Sequence, residues 1–349
     1  MISPQSQSPS GAPKPPNYPD HTNLMVVING EGQSLPVSSP ADWAVRRAHI
    51  LAHCQEVMGL MPGGERRVPL EAEYGEPVAE SNFDRIHVTF ASEPGDRVPA
   101  WLLVPRQDPP EGGLPAIICL HQTIRVGKDE VVGIEARPNR SLAKELAERG
   151  YVVLAPDYPN FGEYQVDPYA LGYASATMKG IWNHMRGVDL LASRPEVDPR
   201  RIGAIGHSLG GHNAIFLAVF DDRIQAVVSS CGFNSFPYYY GGKLAGWSHA
   251  GYMPRIRSKY GTDPARMPFD WPELIGALAP RPFFTNSPLR DANFEVEGVR
   301  VCIASARPVF ELLGAADRLV AEYPDDEHDF PPDVRERSYA FLDRHLDRG

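Results

Sequence analysis

The sequence predicts a protein of the α/β class, with a mostly parallel sheet that carries helices on both faces. The first observation is a set of short, continuous apolar runs, which are typical of strands buried on both faces of a parallel sheet. The second is that helical segments of roughly 12 residues or more separate these runs, as the crossovers of a parallel sheet require. The runs occupy 116–120, 151–155, 201–206 and 226–230, and the helical segments 138–149, 172–193 and 209–220.

The chain before this region divides into a tail, a helix and a pair of strands. Residues 1–22 are rich in Pro, Ser and Gln, which predicts a disordered tail. Apolar residues at helical spacing predict a helical extension at about 40–60. Alternation at 83–90 and 98–105, around the turn sequence EPGD, predicts two paired strands.

After residue 230 the alternation of predicted strands and helices continues, with one interruption. Residues 232–280 hold many aromatic residues among Gly and Pro, which indicates an inserted, cap-like segment. Two more units follow, with strands at 282–286 and 318–323 and helices at 297–313 and 332–346. Residues 23–349 are therefore expected to form a single domain.

Composition limits the partners. The formal net charge is −10, and the absence of any run of Lys or Arg argues against nucleic acid. No stretch reaches the ~20 apolar residues of a membrane helix, so no membrane partner is expected. The first 20 residues lack the pattern of a signal peptide, which favours the cytoplasm unless a leader has been removed. The sequence leaves the oligomeric state open.

Metal ions and cofactors are not expected. The four cysteines are far apart and form no C-x-x-C pair, so four reduced and mostly buried thiols are predicted. Neither H-E-x-x-H nor G-x-G-x-x-G occurs in the sequence.

Ser208 is the candidate nucleophile. It lies in Gly206-His207-Ser208-Leu209-Gly210, where the apolar run RIGAIG meets the helical segment LGGHNAIFLAVF. G-x-S-x-G alone is a weak motif, but a sharp strand-to-helix turn holds a serine hydroxyl exposed above a sheet. The start of the helix also offers free N–H groups to developing negative charge.

A serine nucleophile needs a base and an acid that orients the base. His328 follows the predicted strand RLVAEY and precedes the last helix, which is the position expected for the base; His212, His249 and His345 fit it less well. Asp291 follows the preceding strand and is the preferred acid. The alternatives Asp325 and Asp326 precede His328 too closely to reach around its ring.

Two further sets of residues complete the candidate site. The main-chain N–H groups of Leu209 and Gln122 are predicted to form the oxyanion hole, with Thr123 as the alternative to Gln122. The insertion leaves the sheet at the same edge as Ser208, so its aromatic residues, Tyr239 and Trp247 among them, either line a substrate pocket or only pack the insertion onto the domain.

With these residues in place, the chain resembles the α/β-hydrolase superfamily, in particular the serine esterases similar to dienelactone hydrolases and acetyl xylan esterases. The resemblance covers about residues 80–349 and is specific in the segments CLHQT, APDYPNFGE, GHSLGGH and EHDFPP. It implies the α/β-hydrolase fold, with Ser208 as nucleophile, Asp291 as acid and His328 as base. Dienelactone hydrolases themselves use a cysteine nucleophile, and His-Gln-Thr at 121–123 replaces the common His-Gly-Gly.

The sequence thus predicts a serine carboxylic ester hydrolase that acts on small-molecule esters through an acyl-enzyme and needs no cofactor. One alternative is a serine peptidase of the prolyl-oligopeptidase type, although about 80 N-terminal residues are too few for the partner domain of such enzymes. The other is a hydrolase fold that has lost catalysis and serves as a binding module.

Overall fold

A computed structural model describes residues 15–346. Within this range the chain forms twelve strands and nine α-helices. The strands are β1 Val26–Ile28, β2 Ser34–Pro36, β3 Glu73–Tyr74, β4 Val78–Ala79, β5 Phe83–Glu93, β6 Asp96–Pro105, β7 Leu114–Leu120, β8 Val152–Pro156, β9 Val197–His207, β10 Ile224–Ser230, β11 Phe283–Asn286 and β12 Leu319–Glu322. The helices are α1 Pro40–Met58, α2 Lys128–Val131, α3 Leu142–Glu148, α4 Ala176–Ala192, α5 Leu209–Phe220, α6 Arg255–Ser258, α7 Trp271–Leu278, α8 Val296–Leu312 and α9 Pro332–Leu346.

Ten strands form one mixed sheet in the order β12-β11-β10-β9-β7-β8-β6-β5-β3, with β4 also paired to β5. The six strands from β12 to β8 in this order are parallel, because a helical crossover connects each to the next along the chain. β5 and β6 are antiparallel across the EPGD turn, as their alternation predicted. The predicted fold class is confirmed, and the carboxyl ends of β9, β10, β11 and β12 lie along one edge.

Helices cover both faces of this sheet. One core packs α4, α5, α7 and α8 against the sheet, with Phe216 and Leu274 fully buried. The second core packs α3 and α9 on the opposite face, where Leu146 and Leu342 are fully buried. The elements predicted after residue 115 are therefore present, with ends that differ by a few residues.

The prediction of a disordered tail at residues 1–22 is wrong where the structure describes the tail, at residues 15–22. Residues 1–14 lie outside the described residues, whereas Tyr18 is buried and its hydroxyl lies 2.9 Å from Nδ1 of His49 on α1. The Tyr18 ring also packs under the guanidinium of Arg46. Composition missed this packing because the partners of Tyr18 lie about 30 residues away. The helix predicted at about 40–60 corresponds to α1, which Ser39 caps in a capping box with Asp42.

The segment between β10 and β11 contains short 3₁₀ turns, α6 and α7. Its aromatic side chains Phe236, Phe269 and Trp271 are fully buried, and Trp271 stacks on Phe216 of α5 with ring centroids 5.2 Å apart. A buried ion pair between Arg46 of α1 and Glu273 of α7 ties the segment to the N-terminal helix. The insertion is thus packed firmly beside α5, the helix that follows the candidate nucleophile.

Two predictions from composition concern the cysteines and membranes. All four cysteines are buried, and none forms a disulfide. Across the described residues, the helices are too short or too polar to span a bilayer.

Candidate active site

Ser208 occupies a strained turn between β9 and α5. Its backbone has φ 54° and ψ −117°, a conformation that non-glycine residues rarely adopt. The Ser208 N–H donates to the carbonyl of Ser230 at the end of β10, 2.8 Å away, which fixes the turn to the sheet. The side chain makes no capping hydrogen bond to α5.

Glycines on both sides of the nucleophile give this turn the space it needs. A Cβ at Gly206 would overlap the main chain of Gly210, and a Cβ at Gly210 would overlap the carbonyl of Leu120 at the end of β7. These are main-chain atoms of neighbouring strands and of the turn itself, so they cannot move aside cheaply. Glycine is therefore required at both positions, because neighbouring main-chain atoms leave no room for a Cβ.

Gly210→Ala is therefore expected to destabilise the fold by about 1–3 kcal/mol and to lower ester turnover, because the turn must shift to admit a methyl group. The measurements are the free energy of unfolding by urea denaturation and the turnover of p-nitrophenyl acetate. Gly30→Ala is the matched control, since a Cβ there meets nothing within 4 Å. Equal stability of the two variants would contradict the close packing of the turn.

His328 and Asp291 meet at the carboxyl ends of β12 and β11. His328 Nδ1 lies 2.9 Å from Asp291 Oδ2. Because a carboxylate can only accept, Nδ1 carries the proton, which leaves Nε2 as the ring nitrogen with a free lone pair. The other carboxylate oxygen accepts from the N–H groups of Asn293 and Phe294, at 2.8 and 3.1 Å. Asp291 is thus held by three hydrogen bonds in a nearly buried position.

The base lies beside the nucleophile turn. The ring of His328 packs on that of His207, with centroids 4.9 Å apart, and His207 immediately precedes Ser208. Burial lowers the pKa of His207 well below its usual value, so this second imidazole is neutral and serves as packing. His207 is in turn fixed by a contact of 2.9 Å between its Nδ1 and the hydroxyl of Ser230.

The alternative acids are directed elsewhere. Asp325 pairs with Arg290 at the surface. Asp326 accepts from the N–H of Glu327, 2.8 Å away, and so closes its own loop. Among the three aspartates considered from the sequence, Asp291 is the one that contacts the His328 ring nitrogen.

The loop after β7 is braced by His121. Burial lowers the pKa of His121, so the ring is neutral. Its Nε2 accepts from the N–H of Tyr158 at 3.0 Å, so Nδ1 carries the proton and donates to the carbonyl of Gln122 at 2.7 Å. In a trans peptide, the N–H of a residue points in the direction opposite to the carbonyl of the residue before it. The N–H of Thr123 therefore points away from His121.

The side chain of Gln122 is also fixed by a buried hydrogen bond. Its amide donates to the buried carboxylate of Glu130 at 2.7 Å, and Glu130 pairs with Arg137. Thr123, by contrast, lines a cavity together with Ser208 and Leu209. Of the two candidate donors from the sequence, Thr123 is the one among the residues that line this cavity.

A cavity of about 60 Å³ adjoins Ser208. Both aromatic residues predicted to bind substrate, Tyr239 and Trp247, line it. Its complete lining is Thr123, Ser208, Leu209, His212, Tyr239, Gly246, Trp247, Tyr252, Asn293 and Phe294. A larger cavity of about 890 Å³ lies between the N-terminal segment and the turn at 236–242, and no residue of the proposed triad lines it.

Sequence reasoning missed Asn293 and Phe294. Both line the cavity, and the ring of Phe294 lies 6.0 Å from that of His328. They directly follow Asp291, so the same rule that located the acid, a loop at the carboxyl end of a parallel strand, could have indicated them.

Cys231 is a further neighbour of the acid. It follows β10 with a φ of 48°, and burial and the Asp291 carboxylate raise the pKa of its thiol well above the usual value. Within residues 15–346, the cluster of three donors close enough to hold a metal ion is Cys231, Asp291 and His328, whose ligand atoms lie within 4.8 Å of one another. A metal ion there would compete with the hydrogen bond between His328 and Asp291.

Comparisons with known proteins agree with this architecture. Residues 109–242 match the sequence profile of the dienelactone hydrolase family. The protein YtaP of Bacillus subtilis (strain 168) is 27% identical over 236 residues, which cover 64% of this chain and 75% of YtaP.

The similar solved structures include several glucuronoyl esterases. That of Solibacter usitatus superposes with a TM-score of 0.71 at 19% identity, over 96% of this chain and 100% of its own. That of Teredinibacter turnerae T7901 gives 0.72 at 18% identity, over 98% and 94%. At these identities the likeness establishes the fold.

Proposed function

We propose that this α/β-hydrolase, a carboxylic ester hydrolase related to the dienelactone hydrolase family, works through an acyl-enzyme on Ser208, with His328 as base and Asp291 as acid. The observation that carries the assignment is the 2.9 Å contact between His328 Nδ1 and Asp291, beside the strained turn of Ser208. Small-molecule esters are the substrates.

In the first half-reaction, Nε2 of His328 accepts the Ser208 proton while Oγ bonds to the ester carbonyl carbon. The carbonyl oxygen becomes an oxyanion, for which the N–H of Leu209 and that of Thr123 or Gln122 are the proposed donors. Collapse of this intermediate breaks the bond to the alcohol, which takes the proton from His328. Asp291 keeps the imidazolium oriented and stabilises its charge throughout.

In the second half-reaction, water replaces the alcohol. Neutral His328 takes a proton from the water, whose oxygen bonds to the acyl carbon. The second intermediate releases the carboxylic acid and returns the proton to Ser208. These steps use side chains and main-chain N–H groups of the described residues.

The test is hydrolysis of p-nitrophenyl acetate together with labelling by a fluorophosphonate, located by mass spectrometry. The expected result is turnover by the purified protein and a single adduct on Ser208. An adduct on another serine, with turnover intact, would contradict the assignment of the nucleophile. Absence of both would favour a fold that has lost catalysis.

The rate is expected to depend on pH through His328. Since the base must be neutral to accept the Ser208 proton, kcat/KM should rise as pH increases and the imidazole loses its proton. The measurement is kcat/KM for p-nitrophenyl acetate between about pH 5 and pH 8. A flat profile would count against a histidine base.

The cavity beside Ser208 is proposed to receive part of the ester. At about 60 Å³ it has room for a short group. Trp247→Ala and Tyr239→Ala are therefore expected to raise kcat/KM for longer acyl esters relative to acetyl esters, because each removes part of the aromatic wall. The measurements are kcat/KM for acetyl, butyryl and octanoyl esters, with the melting temperature of each variant. Equal losses for all esters, in step with lost stability, would show that these rings only pack the insertion.

A further inference from the structure

The proposed base lies in a loop that strand pairing alone does not hold in place. β12 lies at one edge of the sheet, beside β11, and His328 comes after the end of this strand and before α9. A base must keep a defined position relative to its nucleophile, and a misplacement of about 1 Å can cost about 10²-fold in rate. The contacts that hold this loop against the Ser208 turn therefore bear directly on catalysis.

Asn286 connects this loop to the strand beside the nucleophile. It is the last residue of β11 and is fully buried. Its Nδ2 lies 2.8 Å from the main-chain carbonyl of Asp329, the residue after His328, and 2.8 Å from the hydroxyl of Ser230 at the end of β10. Because a carbonyl can only accept, the NH₂ group faces Asp329, and its two hydrogens serve the two oxygens. One amide thus bridges the loop of the base and the end of β10.

Ser230 continues the connection to the nucleophile. Its carbonyl accepts from the N–H of Ser208 at 2.8 Å, and its hydroxyl lies 2.9 Å from Nδ1 of His207. The ring of His207 packs on that of His328, with centroids 4.9 Å apart. These contacts form a closed ring that runs from Asn286 through Ser230 and His207 to the loop of the base and back.

Three further side chains hold the same loop. Arg140 donates to the carbonyl of His328 at 3.2 Å and pairs with the carboxylate of Asp329, which also accepts from Asn139 at 2.7 Å. Both of these residues precede α3, so they fix the loop to a segment outside the Ser208 turn. The thiol of Cys231 lies 3.3 Å from the Asp329 carbonyl, but a thiol is a weak donor. The bridging amide is thus the stronger link to the end of β10.

The amide of Asn286 is not the side chain that stability alone would favour. Its Oδ1 finds no hydrogen-bond partner among residues 15–346. A buried polar atom without a partner destabilises a fold, and an aliphatic side chain of similar size would avoid that cost. What the amide adds at this position is its pair of donated hydrogen bonds, and both go to residues next to the candidate triad.

We propose that Asn286 is a positioning residue, which holds the loop of His328 against the nucleophile turn so that the base stays in place for Ser208. This proposal rests on the proposed function of these two residues. Asn286 does not line the cavity beside Ser208, so it acts through the loop of the base and not on the ester.

The test is Asn286→Leu, which keeps a side chain of similar size and removes both hydrogen bonds. His328 serves acylation and deacylation, so both steps should slow, and kcat for p-nitrophenyl acetate is expected to fall about 10- to 100-fold. Because their ratio is kept, KM should stay within about twofold. Titration with a fluorophosphonate counts the intact sites, so the rate is expressed per reactive Ser208. A kcat per titrated site equal to that of the wild type would overturn the proposal.

The proton between His328 and Asp291 gives a second readout. It is followed by proton NMR as the ring N–H signal that His328→Ala removes. In Asn286→Leu this proton is expected to exchange faster with water, because a loop with fewer hydrogen bonds opens more often. An unchanged exchange rate would show that the amide does not hold the loop, and would overturn the proposal.

Asn183→Leu is the matched control. Asn183 of α4 is also fully buried, its Oδ1 also finds no partner among the described residues, and its Nδ2 donates to Tyr164 at 3.1 Å. Neither residue lines the cavity beside Ser208. The variant should keep the kcat and the N–H signal of the wild type, even if its melting temperature falls. An equal loss of kcat in both variants would show that general packing sets the rate, and would overturn the positioning role.

Ser230→Ala is the second variant, should melting temperatures show that Asn286→Leu does not fold. It deletes the hydroxyl at the other end of the bridge, while the Ser230 carbonyl still accepts from the N–H of Ser208. The expected result is a loss of kcat per titrated site with little change in KM. A full rate in this variant would overturn the proposal.

The two proposals fail differently. Turnover and labelling of Ser208 in the wild type, together with a full rate in Asn286→Leu, would overturn the positioning role alone. Absence of all turnover and labelling in the wild type would overturn the proposed function and the positioning role with it.

Discussion

Ser208→Ala is expected to lower the turnover of p-nitrophenyl acetate by about 10⁴- to 10⁶-fold, because the deleted oxygen is the proposed nucleophile and triad residues act as a unit. The fold should survive, since the Ser208 side chain makes no capping hydrogen bond to α5. The measurements are kcat, fluorophosphonate labelling and the melting temperature. A variant that keeps more than a small fraction of the rate would refute the assignment.

Ser208→Gly separates chemistry from strain at the same position. It should be as inactive as the alanine variant, yet more stable than the wild type by about 1 kcal/mol, because glycine adopts a φ of 54° without steric cost. Urea denaturation of both variants measures the difference. Equal stability of Ser208→Gly and Ser208→Ala would show that the turn stores no strain.

His328→Ala is expected to cost about as much as the loss of the serine, about 10⁴- to 10⁶-fold in kcat, since without the base the hydroxyl is a poor nucleophile. Asp291→Asn should cost somewhat less, about 10⁴-fold, because an amide facing Nδ1 favours the wrong tautomer of the imidazole. Its remaining oxygen still accepts from the N–H groups of Asn293 and Phe294, which should preserve the loop.

Asp326→Asn is the matched control for the acid. Its carboxylate closes its own loop, so the effect on kcat should stay within about twofold. The measurement is kcat of all three variants beside their melting temperatures. If Asp326→Asn proved more damaging than Asp291→Asn, the acid would belong to the loop of the base itself.

Much of the fold could be predicted from local patterns. The apolar runs 116–120 and 226–230 form parallel strands of one sheet, with a single strand between them. Helix α5 spans the predicted residues 209–220. The assignments of Ser208, His328 and Asp291 rest on the same logic, since the carboxyl ends of parallel strands share an edge. These three roles stay predictions until the variants are measured.

Other features depended on contacts between distant parts of the chain. Composition predicts a disordered tail at residues 1–22, but Tyr18 packs against α1. The orientation of the peptide between Gln122 and Thr123 depends on His121, which a main-chain N–H 37 residues away holds in place. No window of sequence around either segment contains the partner that decides its conformation.

The fold class, the strand-to-helix turn at Ser208 and the order of the candidate triad could be predicted from the sequence alone. These depend on apolar periodicity and on turns of a few residues, whose physical causes lie within a short segment. Tertiary contacts decide which residues line the cavity beside Ser208 and which hydrogen bonds hold His121 and Asp291. Hydrogen-bond satisfaction is a property of the packed interior, because each buried donor or acceptor finds its partner through space and not along the chain.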